Sequence, residues 1–287
     1  MKRLFTIMAA ALMAVTALFS LVACGGSSDI GAKDYDDVKA AGKIVVGMEC
    51  AYAPYNWSQT SANEYTVKIA DGMYADGYDV QIAKKIAEDL GVTLEIKPLE
   101  WDGLIPALNA KSIDLVIAGM SPTEDRKLSI DFSDTYLDSN LVMVVRKDGK
   151  YANATQISDF SGAKITGQLN TFHYDVIDQI QGVNKQNALE NFAALTTALR
   201  SGTIDGYVCE RPGGKGAAAA DSNFTYIEFG EGKGFTYDPV EASIAVGLRK
   251  GSSLTEKVNA TIAKLSTNDK EALMAAAISR QPVSQES

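Results

Sequence analysis

Two segments about 90 residues apart repeat one another, and few folds accommodate that. Ala107-Leu108-Asn109-Ala110-Lys111-Ser112-Ile113-Asp114-Leu115-Val116-Ile117-Ala118-Gly119 follows the same pattern as Ala198-Leu199-Arg200-Ser201-Gly202-Thr203-Ile204-Asp205-Gly206-Tyr207-Val208-Cys209-Glu210. Each is the end of a helix, a turn, Ile-Asp, then an apolar strand. Two copies are too few for a solenoid, so the pattern reads as two related lobes unless two common α/β turns happen to coincide. In open α/β sheets, ligands sit beyond the carboxyl ends of the strands. Gly119 and Glu210 fall at equivalent strand ends, so each lobe presents one of them to a shared cleft.

The surrounding pattern is α/β throughout. Lys43-Ile44-Val45-Val46-Gly47 is a short apolar run, as in a buried strand. Val80, Ala83, Ala87 and Leu90 fall near helical spacing, with Asp79 placed to cap the start and Gly91 to end the helix. Val92 to Leu99 alternates and predicts a strand. Asp102 is placed to cap a helix running to Ala110, where Pro106 is tolerated only in the first turn. Trp57 to Gly77 is polar and irregular, an exposed loop or hairpin. Strands alternating with helices imply a mostly parallel sheet in each lobe.

The N-terminus stands apart from this. Met1-Lys2-Arg3 is positive, and Leu4 to Ala23 is apolar apart from two Thr and one Ser, the layout of an export signal. Leu21-Val22-Ala23-Cys24 resembles a bacterial lipobox, which implies cleavage before Cys24 and lipidation of that residue. Gly25 to about Ala41 then reads as a tether. Loss of the first 23 residues leaves 264, and loss of Lys2 and Arg3 moves the net charge from −9 to −11. That argues against nucleic acid as a partner, which needs a basic surface. Cys50 and Cys209 are too far apart to form a framework and read as free, packed thiols. Nothing has the spacing of metal ligands, and His173 is the sole histidine.

Chemistry concentrates between Gly119 and Arg126. Gly119 lets backbone approach a ligand, Ser121 offers a hydroxyl, and Thr123 is placed to cap a short helix. Arg126 carries a planar fork suited to a carboxylate, although a surface salt bridge would also account for it.

Much of the chain, from about Lys43 to Leu265, resembles the type 3 family of extracellular solute-binding proteins, which deliver polar amino acids to ABC importers. The matching pieces are Ala51-Tyr52-Ala53-Pro54-Tyr55, Gly77-Tyr78-Asp79-Val80, Trp101-Asp102-Gly103-Leu104-Ile105-Pro106-Ala107-Leu108, Gly119-Met120-Ser121 with Arg126, Ile130-Asp131-Phe132-Ser133-Asp134, and Ser201-Gly202-Thr203-Ile204-Asp205-Gly206. The resemblance implies a two-lobed periplasmic-binding-protein fold. Lobe 1 would span 43–140 plus 243–287, and lobe 2 would span 141–242. Hinge strands would lie near Leu141–Arg146 and Ser243–Arg249. It further implies that Arg126 grips a ligand α-carboxylate, helped by Gly119, Met120 and Ser121, while Glu210 takes the α-ammonium. Tyr52 and Trp101 would line the side-chain pocket, and Gln168, Leu169, Asn170 and Thr171 would close from the other lobe. Glu210 stands where many relatives have Asp, and Asn170 and Leu169 stand where many have a hydroxyl residue and Gly.

A free amino acid is a fixed pair of opposite charges, so a site with one cationic fork and one anion on different lobes would make closure depend on the ligand. Glu49, with Tyr52 and Trp101, suits an Arg or Lys side chain, while a neutral polar ligand would need only the aromatics. The expected partners are a free amino acid, an ABC permease and, through Cys24, the membrane, with the protein a monomer. No cofactor, metal or catalytic residue is implied. A cleft enzyme of the same fold, such as a dehydratase, is the competing class, with Glu49 or Glu210 as acid–base groups.

Overall fold

The Ile-Asp repeat recurs in three dimensions down to its hydrogen bonds. A computed structural model describes residues 31–283. Cys24 and the expected signal segment lie outside them. Helix α1 (Asp34–Ala41) leads into β1 (Lys43–Met48), β2 (Ala51–Tyr52), β3 (Asn56–Gln59), β4 (Val67–Ala70) and β5 (Met73–Asp76). Next come α2 (Tyr78–Leu90), β6 (Thr93–Pro98), α3 (Leu104–Asn109), β7 (Leu115–Val116), α4 (Glu124–Lys127) and β8 (Asp131–Leu137). The second lobe holds β9 (Leu141–Arg146), β10 (Lys164–Thr166), α5 (Phe172–Asp175), β11 (Asn184–Lys185), α6 (Phe192–Arg200), β12 (Gly206–Glu210), α7 (Arg211–Ala220) and β13 (Phe224–Glu228). The chain returns through β14 (Ile244–Leu248) and ends in α8 (Thr255–Ile262) and α9 (Thr267–Arg280).

The first sheet runs β6-β1-β7-β14-β8 and the second β11-β10-β12-β9-β13. Position by position they agree. In each, the first three strands are parallel, and the last two are antiparallel to their neighbours. The repeated strands β7 and β12 are the middle strands. Each sheet is therefore mostly parallel, as expected, with four strands running one way and only the strand arriving from the other lobe (β14 or β9) reversed. The chain crosses between sheets at 138–140 and again at 229–243. Strand β9 buries both faces. Val142 and Val144 join the core of the first lobe and α6, while Leu141, Met143 and Val145 join Phe160, Ile165 and Val208.

The repeated aspartates tie neighbouring strands. Asp114 Oδ2 accepts from the Val45 amide at 2.9 Å, and Asp205 Oδ2 accepts from the Lys164 amide at 2.9 Å. At the end of each incoming strand an arginine completes the joint. Arg249 Nη1 donates to the carbonyls of Leu108 and Ile113, and Arg146 Nη1 donates to those of Leu199 and Ile204. These carbonyls occupy equivalent places in the two repeats, which removes coincidence as an explanation. Arg249 is also paired with Asp34 at 2.9 Å and Asp114 at 3.3 Å.

Three expectations are corrected. The tether does not reach 42, because Asp34–Ala41 is a helix whose Asp34 is buried against Arg249 and Ser252. Helix α2 starts with Gly77 at its cap position. Asp79 turns inward to bond Asn56 and Tyr136, so it is not the cap. Asp102 lies in a 3-10 turn, Trp101–Gly103, and makes no cap bond to α3. The 57–77 stretch does hold a hairpin, β4–β5, which joins β3 and β2 in a small antiparallel sheet, β2-β3-β5-β4. Gly91 does end α2, in left-handed conformation, and Thr123 does cap α4.

Removing one partner from a buried ion pair costs about 3–5 kcal/mol. Arg249→Ala is therefore expected to lower the unfolding free energy by that amount in urea titrations. Arg146→Ala, at the more exposed equivalent, should lower it by about 1–3 kcal/mol through its stranded carbonyls.

Candidate functional site

The two strand-end loops of the first lobe rest on one buried carboxylate. Asp79 accepts from Asn56 Nδ2 and Tyr136 Oη, both at 2.8 Å, and from the Gly119 amide. Asn56 Oδ1 in turn accepts from the Cys50 amide at 2.8 Å. Cys50 and Gly119 are both left-handed, at φ 56° and 62°, so the network holds Cys50 in a conformation disfavoured for residues with a Cβ and uses glycine for the other. Burial raises the Asp79 pKa to about 6 against the opposing pull of these bonds. At Gly119 a Cβ would also stand 3.2 Å from the Tyr52 ring.

Tyr52, Trp101, Gly119, Ser121, Arg126, Gln168 and Thr171 line one narrow cavity between the lobes, together with Ala118, Phe172, His173 and Phe192. Arg126 is held by the Ser121 carbonyl at 3.0 Å and, across the cleft, by the Asn170 carbonyl at 3.1 Å. Its guanidinium sits 4.9 Å from the centre of the Trp101 ring, within cation–π range. Burial lowers its pKa to about 10, with Glu210 and Asp175 pulling the other way.

Asn170 is the latch between the loops. It is left-handed at φ 56°, its carbonyl also accepts from Trp101 Nε1 at 3.4 Å, and its Nδ2 donates to Asp102 at 2.8 Å. Asn tolerates that conformation better than most residues, so the loop keeps its shape without glycine. Thr171 turns its hydroxyl back onto the Gln168 carbonyl at 2.7 Å. Gln168 donates across the cleft to Glu49 Oε1 at 3.0 Å.

Two predicted residues stand behind the cavity wall. Met120 is buried, and its carbonyl accepts from Ala245 on β14, so it joins the site to the strand from the other lobe. Glu210 is wholly buried at the end of β12. Its Oε2 accepts from Tyr52 Oη, and its Oε1 lies 2.9 Å from His173 Nε2, a charge contact without hydrogen-bond alignment. Burial raises its pKa, but the adjacent His173 imidazole and the Tyr52 hydroxyl outweigh burial and leave it lowered. Glu49 differs: burial pushes it up to about 7, the Gln168 bond pulls down, and Glu100 and Asp102 push up again. Its Oε2 has no partner.

Sequence reasoning missed His173 and Phe192. Phe192 stacks on Tyr52 with ring centres 3.7 Å apart and 8° between planes. This pair separates the cavity from a wider chamber of about 1090 Å³, open to solvent and lined by both rings, Trp57, Tyr207, Ala217 and Gln281 among others. Helix α7 comes close enough to complete the wall because it is rich in glycine. A Cβ at Gly213 would lie 2.9 Å from Tyr52 Oη, and one at Gly216 would lie 2.7 Å from Pro54 Cδ. Cys50 and Cys209 are free and buried, and burial drives the Cys50 thiol up to about 12 and Cys209 well above its usual value.

Residues 44–276 match the bacterial extracellular solute-binding proteins, family 3, past Leu265 and into α9. The chain is 26% identical over 262 residues to the arginine-binding extracellular protein ArtP of Bacillus subtilis, covering 90% of this chain and 91% of that one. It is 30% identical over 234 residues to the L-cystine-binding protein TcyJ of Escherichia coli K12, covering 79% of each. Among solved structures it superposes on an amino acid ABC transporter substrate-binding protein of Streptococcus pneumoniae bound to L-arginine. There the TM-score is 0.75 at 26% identity, covering 87% of this chain and 99% of that one.

Alanine at Gly119 must adopt a positive φ beside the Tyr52 ring. Gly119→Ala is expected to cost about 1–2 kcal/mol of stability by urea denaturation.

Proposed function

Because this chain belongs to the bacterial extracellular solute-binding proteins, family 3, we propose that it is an amino acid receptor outside the cytoplasm. It closes around a free L-amino acid and hands it to an ABC importer. The observation that carries this reading is one interlobe cavity lined by Gly119, Ser121 and the partly buried cation Arg126 from the first lobe and by Gln168 and Thr171 from the second. The anion Glu210 stands behind its wall, bonded to the lining residue Tyr52 and close enough to act on Arg126. A free amino acid carries the carboxylate that complements Arg126 and the ammonium that complements an anion such as Glu210. Cys24 anchors the protein by lipid, and it works as a monomer with two lobes hinged at the crossings. It is a binding protein rather than an enzyme: the relatives described above are binding proteins, and the cavity's charged groups are engaged in holding rather than poised on a nucleophile.

The ligand's side chain is cationic. Glu49 has an unpartnered buried oxygen, and its carboxyl is pushed up to about 7 by burial and by Glu100 and Asp102. Acidic neighbours that raise a carboxyl's pKa are relieved by an incoming cation. The aromatic faces of Tyr52 and Trp101 serve the same guest, and the arginine bound by relatives supports the reading.

Thermal-shift and calorimetric titration against the common amino acids tests the class. Arg126→Ala is expected to weaken every binding amino acid by about 3 kcal/mol, roughly 100-fold, and unchanged affinity would refute the clamp. For the side chain, a cation favours the ionised Glu49. The preference for L-arginine over L-glutamine should therefore grow from pH 6 to 8 as that carboxyl loses its proton. Glu49→Gln should remove about tenfold of that preference and its pH dependence, with L-glutamine affinity unchanged.

A further inference from the structure

The two spaces that meet at Phe192 differ greatly in room. One is the narrow interlobe cavity that holds Arg126 and Ser121, and the other is the wide chamber lined by Trp57, Tyr207 and Ala217. Tyr52 and Phe192 line both. Their ring centres are 3.7 Å apart with 8° between planes. That is carbon–carbon contact across the faces, so no ligand atom fits between them. The pair is a wall rather than a passage.

The two halves of this wall are held differently. Tyr52 comes from the first lobe and is fixed at several points. Its hydroxyl bonds Glu210, and the Tyr55 ring centre lies 4.7 Å from its own. The backbone at Gly119 and Gly213 comes so close that a Cβ would fall 3.2 and 2.9 Å from Tyr52 atoms. Phe192 comes from the second lobe as the first residue of α6, with the rings of His173 and Tyr207 set edge-on, each 6.2 Å away.

Helix α6 does not depend on the Phe192 ring. Asn191 caps it by accepting from the Ala194 amide at 2.9 Å, and the Phe192 carbonyl accepts from Thr196 Oγ1 at 2.8 Å. What the ring does is end the cavity. Behind it the chamber wall is largely aromatic and aliphatic, and the charged groups there, Arg200 and Asp221, pair with each other at 2.9 Å. Such a space suits an apolar or aromatic side chain and holds out no spare counter-charge to a charged one.

We propose that Phe192 is a specificity-determining residue whose ring sets the largest side chain the cavity accepts and keeps bulky aromatic amino acids out. With a small residue at 192, cavity and chamber become one space. The Arg126 end then serves ligands whose side chains reach into the chamber. Glu49, Tyr52 and Trp101 all select from the first lobe, so Phe192 gives the second lobe its own part in side-chain selection. This inference rests on the amino acid-receptor reading above.

Calorimetric titration of the full chain tests it. The reference ligand is whichever of L-arginine and L-glutamine the wild type binds more tightly, and L-tryptophan is the bulky probe. The wild type is expected to favour the reference by roughly tenfold or more. Phe192→Ala should bind L-tryptophan about tenfold more tightly than the wild type does, while the reference changes by less than about threefold. Phe192→Leu keeps an apolar side chain at the head of α6 and should give an intermediate ratio, so the trend is readable even where Phe192→Ala is unstable. A purely structural role for the ring would weaken both ligands together.

Three results would overturn the proposal. A wild-type chain that binds L-tryptophan as tightly as the reference has no such size limit, and that result needs no variant. Equal gains or equal losses for both ligands in the folded variants would make Phe192 a packing residue. Failure of the wild type to bind any amino acid would take down the receptor reading and this inference together, whereas an unmoved ratio in variants that still bind the reference sinks the inference only.

Discussion

Both lobes hang on the same small joint, an arginine that closes the gap between a helix end and the strand that follows it. Arg249 and Arg146 each cap two carbonyls of the turn before the middle strand and face the aspartate of that turn. The aspartate in turn holds the first residues of the neighbouring parallel strand. Three polar groups that would otherwise be stranded at the base of each sheet thus satisfy one another, which is the condition for burying them at all. The joint sits at the end of the strand that arrives from the other lobe. The positions of β7 and β12, and so of Gly119 and Glu210, are therefore referred to the crossing segments.

From that base the site is assembled by long-range polar contacts rather than by local motifs. Asp79 fixes the first lobe's loops, Asn170 spans the cleft, and Met120 ties the Gly119 turn to β14. Electrostatics then decides what the cavity accepts. Arg126 remains a cation despite burial, Glu210 is stabilised as an anion by its own neighbours, and Glu49 is left poised near neutrality. A site whose groups are neutralised to different degrees can sort ligands by charge distribution, which shape alone does poorly.

What the sequence disclosed and what it concealed divide along contact distance. The Ile-Asp repeat, the glycine end of α2 and the Thr123 cap were legible because each is decided within a few residues. Asp79 looked like a cap because a carboxylate next to a helix start usually is one. Its true partners, Asn56 and Tyr136, lie on other strands. His173 was visible only as the chain's single histidine, and nothing beside it points to Glu210. Phe192 reads as an ordinary core residue at the head of a helix until its ring is seen lying flat on Tyr52. The 57–77 sheet was hidden for another reason: its strands are short, and β4 carries alternating exposed residues, which is indistinguishable from loop composition.

Helix α7 carries one more implication. Its glycines at 213 and 216 are the points where the second lobe bears on Tyr52 and Pro54 of the first. Their missing side chains act as the stop of a door. With hydrogen in those places the jambs meet flush, whereas a methyl in either would hold them ajar by the width of a carbon atom. The spacing of the two lobes in this structure is thus written in what two residues lack.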